Sequence, residues 1–144
     1  MTEQQLKAKE FLMQAYHIDI RINSKIDQIS SLHDLATKAT STLSDMPGSA
    51  TRNVHRMEDV ILKIIELEEE IHGDMSNLID LKQCIMQTIK KLKVVDFQTV
   101  LEFRYLCMKQ WEQIAVNMGY SLQHIFRLHD KALKDVWVIL KDES

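Results

Sequence analysis

The stretch that decides the fold is WEQIAVNMGYSLQHIFRLHDKALK, residues 111–134. Ala115 is small enough to lie where two helices touch. Gly119, four residues later, can open a tight turn because glycine adopts the left-handed conformation without a Cβ penalty. Ser121 is a natural N-cap for a second helix, since its hydroxyl can accept a hydrogen bond from an unpaired backbone N–H. The pattern predicts a helix-turn-helix with these inward-facing side chains: Ile114, Met118, Tyr120 (filling the turn), Ile125 and Leu128.

A supporting helix is predicted directly before this unit, from about residue 96 to residue 108, with Asp96 as its cap. The last helix should continue to about residue 141, because the segment after Lys134 is apolar and contains Trp137. Residues 93–144 are therefore predicted to form a three-helix domain. Its small core is expected to consist of Val100, Leu101, Tyr105, Trp111, Ile114, Ala115, Ile125, Leu128, Ala132 and Leu133.

Residues 1–92 have the pattern of two long helices joined by one bend. The segment TKATSTLSDMPGSATRN, residues 37–53, is rich in Ser and Thr and holds the single proline beside a glycine, so the bend is expected near residues 46–49. On each side of it, apolar residues recur at steps of three and four, which predicts an antiparallel hairpin. The first stripe is Phe11, Ala15, Ile18, Ile22, Ile26, Ile29, Leu32 and Ala36; the second is Met57, Val60, Ile64, Leu67, Ile71, Met75, Leu78, Leu81, Ile85, Ile89 and Leu92. The predicted architecture is all-α.

The second stripe is wider than one facing helix would cover. Four further apolar residues flank it, namely Ile61, Ile65, Ile79 and Met86. A hairpin alone would leave much of this surface in water, so the chain is predicted to self-associate through residues 1–92. A homodimer is the first expectation and a tetramer the alternative.

Charge is distributed unevenly along the chain. The formal net charge is -3, carried by residues 1–92, whereas residues 93–144 are neutral. A general electrostatic affinity for nucleic acid is therefore excluded, and any contact with DNA must come from a local patch. Residues 121–134, in the second helix of the helix-turn-helix, offer one, because they carry Arg127, Lys131 and Lys134 against Asp130 alone. His124 and His129 are expected to add partial positive charge there.

No pattern of a catalytic, metal or cofactor site occurs in the sequence, and an enzyme is not expected. The six histidines are scattered, and His124 and His129 are five residues apart, so they do not share a helix face as a metal pair would. Cys84 and Cys107 are expected to be reduced thiols in core or half-buried positions. A polar N-terminus and the absence of an 18-residue apolar run predict a soluble cytoplasmic protein without a membrane partner.

Three segments near the C-terminus resemble region 4 of the sigma-70 family of bacterial sigma factors. They are VLEFRY (residues 100–105), WEQIA (residues 111–115) and S-x-x-x-I-x-x-L-x-x-KAL (residues 121–133). With the long helices before them and the opening LKAKEFL, the chain also resembles small phage transcription regulators of the ArpU and RinA type. These resemblances imply that the last helix reads double-stranded DNA in the major groove, and two-fold DNA sites suit a dimer.

The sigma resemblance also implies which side chains meet DNA. Its base-contacting positions fall on Leu122, Gln123, Phe126 and Arg127, where glutamine suits adenine and arginine suits guanine. Leu122 and Phe126 depart from the polar residues of the sigma pattern, which indicates a site other than the sigma promoter. The DNA-binding residues predicted on this basis are Ser121, Gln123, His124, Arg127, Lys131 and Lys134.

The leading functional hypothesis is a sequence-specific DNA-binding transcriptional regulator of phage or prophage genes. One alternative is a phage DNA-packaging component resembling a small terminase subunit, which also joins a helix-turn-helix to oligomerising helices. Another is a module that docks on RNA polymerase without reading DNA, which an exposed Phe126 would suit.

Overall fold

The computed structural model describes residues 1–43 and 50–143, with side chains described for residues 1–38 and 54–143. No strand occurs in this part of the chain, and the all-α prediction is confirmed. The predicted bend near residues 46–49 lies outside the described residues. The elements in order are α1 (Glu3–Leu43), α2 (Ala50–Lys90), α3 (Val95–Leu101), a π-helix (Glu102–Leu106), α4 (Trp111–Met118) and α5 (Leu122–Glu143).

One of two compact units, Ile18–Asn77, consists of parts of the two long helices. Lys25 of α1 donates a 2.6 Å hydrogen bond to Asp74 of α2, while Leu32, further along α1, shares a groove with Lys63, which lies earlier in α2. A later residue of α1 thus lies beside an earlier residue of α2, so the two helices run antiparallel. The predicted long N-terminal helix pair is therefore present.

One layer of this helix pair is ionic, not apolar as predicted. The side chains of Lys25 and Asp74 are only 15% and 14% exposed, whereas Ile26 and Met75, which the stripes placed inside, are about half exposed. The hydrogen bond from Lys25 lowers the pKa of Asp74. The expected inward positions of Ile26 and Met75 are wrong because each follows the ion-pair residue directly, and one residue turns a helix by about 100°.

The other compact unit joins Met1–His17 to Leu78–Ser144. Here the start of α1 and the end of α2 pack against α3, the π-helix and α5, and the side-chain amide of Gln5 donates to the backbone carbonyl of Asp130 at 2.9 Å. These units do not coincide with the predicted division after residue 92, which stays a prediction. The main buried cluster is formed by Ala8, Leu12, Ala15, Ile85, Ile89, Leu92, Leu101, Tyr105, Ala132, Leu133 and Val136.

A second buried cluster lies among α3, α4 and α5 and consists of Val100, Ile114, Ala115, Ile125 and Leu128. Of the ten core residues predicted for the C-terminal segment, nine are buried and Trp111 is half-buried. They do not form one small core, however, because four of them belong to the main cluster with α1 and α2. The C-terminal helices therefore contribute side chains to two buried clusters.

The supporting helix differs from its prediction at both ends. Asp96 does not cap it: the residue before α3 is Val94, in an extended conformation, and Asp96 lies inside the first turn. The α-helix changes to π-helical geometry at Glu102 and ends before Met108, which has a positive φ of 55°. Bonds between residues five apart widen the helix locally, which re-aims the side chains that follow.

Both cysteines, Cys84 and Cys107, are free but exposed, so the expectation of core or half-buried thiols is wrong. Cys84 directly precedes the buried Ile85, and one residue turns the chain about 100° away from the packed side of α2. Cys107 lies just beyond the end of the π-helix.

Candidate nucleic-acid interface

The turn between α4 and α5 is a closed backbone motif built on Gly119. This residue has φ 73° and ψ 28°, in the left-handed region. The N–H of Tyr120 donates to the carbonyl of Ala115 at 3.1 Å, and the N–H of Gly119 donates to the carbonyl of Val116 at 3.3 Å. Together these bonds form a Schellman motif, which satisfies carbonyl groups that the end of a helix would otherwise leave unpaired. The turn predicted at Gly119 is confirmed.

We expect Gly119→Ala to lower the free energy of unfolding by about 1 kcal/mol, because a Cβ is disfavoured at this φ. The matched control is Gly73→Ala, in the middle of α2, where an added Cβ meets nothing within 4 Å and φ is helical. That substitution should raise the free energy of unfolding by about 1 kcal/mol through helix propensity. Urea unfolding followed by circular dichroism measures both, and equal effects of the same sign would contradict the expectation.

Ser121 caps α5 as predicted. Its hydroxyl oxygen accepts a hydrogen bond from the backbone N–H of His124 at 3.1 Å, and its carbonyl accepts from the N–H of Ile125 at 3.0 Å. The cap fixes the first turn of α5 directly after the Schellman motif. The Ser121 hydroxyl is therefore occupied by the backbone, although the side chain stays exposed.

One face of α5 carries the predicted DNA-contacting side chains into solvent. Gln123, Arg127, Lys131 and Lys134 are all exposed. Their spacing of four, four and three residues places them in one row along the helix. The opposite side of the same helix is buried, with Ile125, Leu128, Ala132 and Leu133 in the two clusters.

His124 lies at the edge of this row and is half-buried. Its ring packs edge-to-face on Tyr120 with 4.7 Å between ring centroids. Tyr120 does not fill the turn as predicted: it is 38% exposed, and its hydroxyl donates to the carboxylate of Asp96 at 2.7 Å. This hydrogen bond raises the pKa of Tyr120. The reason is that the Schellman motif closes the turn with backbone bonds, so the ring is free to join α3 to the start of α5.

His129 faces the interior and not the row of cations. It is 3% exposed, and its Nε2 shares a 2.6 Å hydrogen bond with the hydroxyl of Tyr105. Burial lowers the pKa of His129 to about 4, despite the carboxylate of Asp130 at 3.6 Å from Nδ1. The ring is therefore neutral at pH 7, and the expectation that His129 adds positive charge to this surface is wrong. Burial also raises the pKa of Tyr105.

Phe126, which departs from the sigma pattern, packs on an aromatic group that the sequence did not reveal. Its ring lies edge-to-face on Trp111 with centroids 5.3 Å apart, and the guanidinium of Arg104 lies over the same indole at 4.5 Å. Arg104 also donates to the carbonyl of Lys109 at 3.0 Å, which ties the loop before α4 to the π-helix. Phe126 nevertheless remains 41% exposed. Its spacing of fifteen residues from Trp111 carries no local signal, so this contact depends on the packing of α5 on α4.

Two further site types are absent from the described part of the chain. No group of three or more His, Cys, Asp or Glu residues there is arranged to hold a metal ion. Among the same residues, no helix is both long enough and apolar enough to span a membrane.

Comparison with known proteins gives one family. The family described as "Protein of unknown function (DUF1492)" matches residues 37–136, which is more than half of the chain. No curated protein matches the chain, and no solved structure matches it. The matched residues include the end of α1, all of α2, α3, the π-helix and α4, and most of α5. The chain belongs to the DUF1492 family.

Proposed function

We propose that this protein is a sequence-specific DNA-binding transcriptional regulator of phage or prophage genes that self-associates through its N-terminal helix pair. The observation that supports this most directly is the exposed row Gln123, Arg127, Lys131 and Lys134 on α5. It lies on a helix that is preceded by a closed turn and a serine cap. The resemblance to sigma region 4 and to ArpU- and RinA-type regulators belongs to this proposal.

The row suits the major groove in both chemistry and length. Gln123 and Arg127 occupy the first two turns of α5, where a recognition helix meets base edges, and their side chains can bond two atoms of adenine and guanine respectively. Lys131 and Lys134 lie about 6–10 Å further along the axis at 1.5 Å per residue, a position suited to phosphate contacts. His124, at the edge of the row, is a further candidate for a base or phosphate contact.

The small charge of this surface favours two copies acting together. Asp130 offsets one of the three cations, and residues 93–144 as a whole are neutral. One copy would therefore release few counterions and bind weakly, whereas two linked copies add their contacts on a two-fold site. The self-association and the DNA contact are thus parts of one proposal.

We expect Arg127→Ala to weaken binding to a selected DNA site by about 5- to 150-fold, since a good arginine–guanine pair contributes about 1–3 kcal/mol of discrimination. The site would first be selected from a random duplex library with the intact protein, and affinities then measured by gel shift. The control is Arg56→Ala. This substitution removes the same charge from an exposed arginine on α2, far along the chain from α5.

Full affinity in the Arg127 variant would refute the assignment of that residue, and equal losses in both variants would indicate a non-specific charge effect. Binding by the intact protein should also fall steeply with salt concentration. If no duplex is enriched, the DNA-reading proposal itself fails.

A second candidate function is docking on RNA polymerase without reading DNA. It is favoured by the 41% exposed Phe126 beside the row of polar residues, together with Val116 of α4, which is 80% exposed. A pull-down with purified polymerase in the absence of DNA, repeated with Phe126→Ala, distinguishes it from the first. Capture that is lost in this variant supports docking.

A further inference from the structure

Helix α2 also carries a separate stripe of apolar residues that is exposed. Ile61, Ile65, Met75, Ile79 and Met86 are each 41–57% exposed. Every one of them directly follows a residue on the side of α2 that is buried or half-buried, such as Ile64 before Ile65. One residue corresponds to about 100° around a helix, so this stripe lies well apart from the side that is buried.

The spacing of this stripe is that of a coiled coil. From residue 54 to residue 86, ten positions alternate at steps of four and three, which is the heptad spacing with a period of 3.5 residues. We name this set the second seam. Its members are Val54, Glu58, Ile61, Ile65, Glu68, His72, Met75, Ile79, Lys82 and Met86.

The surface of the second seam also has the shape that such packing requires. Ile65, Glu68, Glu69 and His72 line an open groove of about 320 Å³. These residues are related as i, i+3, i+4 and i+7, which is the set of four that forms the hole for a partner's side chain in knobs-into-holes packing. The groove carries two carboxylates, so a basic side chain suits it best.

We propose that a second copy of this chain covers the second seam, with the two α2 helices antiparallel about a two-fold axis and Glu68 of each copy opposite the partner's His72. This deepens the self-association in the proposed function and does not depend on DNA binding. The groove beside Glu68 and Glu69 then receives the imidazole of the partner's His72.

Charge and polarity complement each other along the whole seam in this register. Apolar residues meet apolar residues, and each carboxylate meets a basic group. The pairs, each of which occurs twice by symmetry, are Val54 with Met86, Glu58 with Lys82, Ile61 with Ile79, Ile65 with Met75, and Glu68 with His72. Opposite charges at such positions select the partner and its orientation.

Neighbouring arrangements lack this match. Moving one copy by a heptad in one direction places Ile65 against the partner's Lys82 and Glu68 against the partner's Ile79. Moving it in the other direction leaves Glu68 against the partner's Ile65. A parallel, in-register pair places like charges together at Glu68 and at Lys82, which is destabilising. Among these arrangements, only the antiparallel register described above matches every position of the seam.

Crosslinking tests the orientation and register. In a Cys84→Ser/Cys107→Ser background, Ile65→Cys and Met75→Cys are introduced singly and together, and each protein is treated with a short bismaleimide. We expect a crosslinked dimer only from the combined variant. In a single variant, the two thiols would be displaced by ten residues, about 15 Å along the axis. Within one chain, the two sites are separated by the same distance, so a short linker does not join them.

Crosslinking of either single variant as strongly as the combined one would overturn the antiparallel register. The absence of a crosslinked dimer in all three would overturn the proposal.

Light scattering tests the surface itself. We expect the intact protein to have the mass of a dimer and Ile65→Lys that of a monomer with unchanged helix content. The matched control is Ile20→Lys on α1, because Ile20 and Ile65 are both 47% exposed. It should remain a dimer.

A monomeric intact protein, a dimeric Ile65→Lys variant, or a ring of eight or more copies, as in a packaging component, would each contradict the proposal. The dimer should persist in Arg127→Ala. If the intact protein forms this dimer but does not bind DNA, the proposed function is refuted and the proposal for the second seam is not.

Discussion

Replacing Leu133 with alanine is expected to lower the free energy of unfolding by about 2–5 kcal/mol, the cost of removing buried methyl groups and leaving a cavity. Leu133 is fully buried in the main cluster, where α5 meets residues from the start of α1 and the end of α2. The substitution therefore tests whether the last helix belongs to a unit with both ends of the long helices. Urea unfolding followed by circular dichroism gives the value.

The matched control for Leu133→Ala is Val138→Ala, which lies on the same helix and is 54% exposed. It should change the free energy of unfolding by no more than about 0.5 kcal/mol. If the two variants lose the same small amount, then α5 does not pack on α1 and α2, and the C-terminal helices depend on their second, smaller cluster alone.

Acidification from pH 7 to pH 5 is expected to remove about 2 kcal/mol of stability through His129 alone. Burial lowers its pKa to about 4, whereas an unfolded histidine titrates near 6.5. The folded ring stays neutral over this range while the unfolded chain takes up a proton. Its contribution is therefore complete above about pH 6.5, falls as the pH drops to about 4, and does not change further below that.

Urea unfolding at pH 7 and pH 5 measures this dependence. His129→Gln should remove most of the pH-dependent loss, since glutamine does not titrate and can still bond the hydroxyl of Tyr105. His17→Gln, an exposed histidine on α1, should leave the loss unchanged. Asp74 does not contribute to the change between pH 7 and pH 5. Its pKa is lowered, so the stabilisation from its ionised carboxylate is lost only below about pH 4. An unaltered slope in His129→Gln would refute the assignment.

The elements that sequence reasoning placed correctly depend on local chemistry. Gly119 and Ser121 specify a turn and a cap within a few residues of themselves, and both have the predicted geometry. The long helices likewise follow from periodicity over many turns with almost no helix breakers. The same helical periodicity correctly predicts that Ile114, Ile125 and Leu128 face inward.

The predictions for individual side chains are wrong where the side chain bonds to a residue far along the chain. The hydroxyl of Tyr120 bonds Asp96, twenty-four residues away, which removes Asp96 from its predicted capping role and Tyr120 from the turn. The predicted positive charge of His129 is wrong because burial beside Tyr105 keeps the ring neutral. Nothing within a few residues of either side chain encodes these pairings.

By itself, the sequence determined the all-α class, the long helix pair, the turn at Gly119 and the exposed row on α5, because hydrophobic period, capping and glycine conformation act over short stretches. Only the tertiary structure decided that Lys25 and Asp74 replace an apolar layer, that His129 is neutral, and that the buried side of α5 is shared between two clusters. Each of these depends on which surfaces meet, and the solvation of a charge or the fit of a side chain is set by those surfaces.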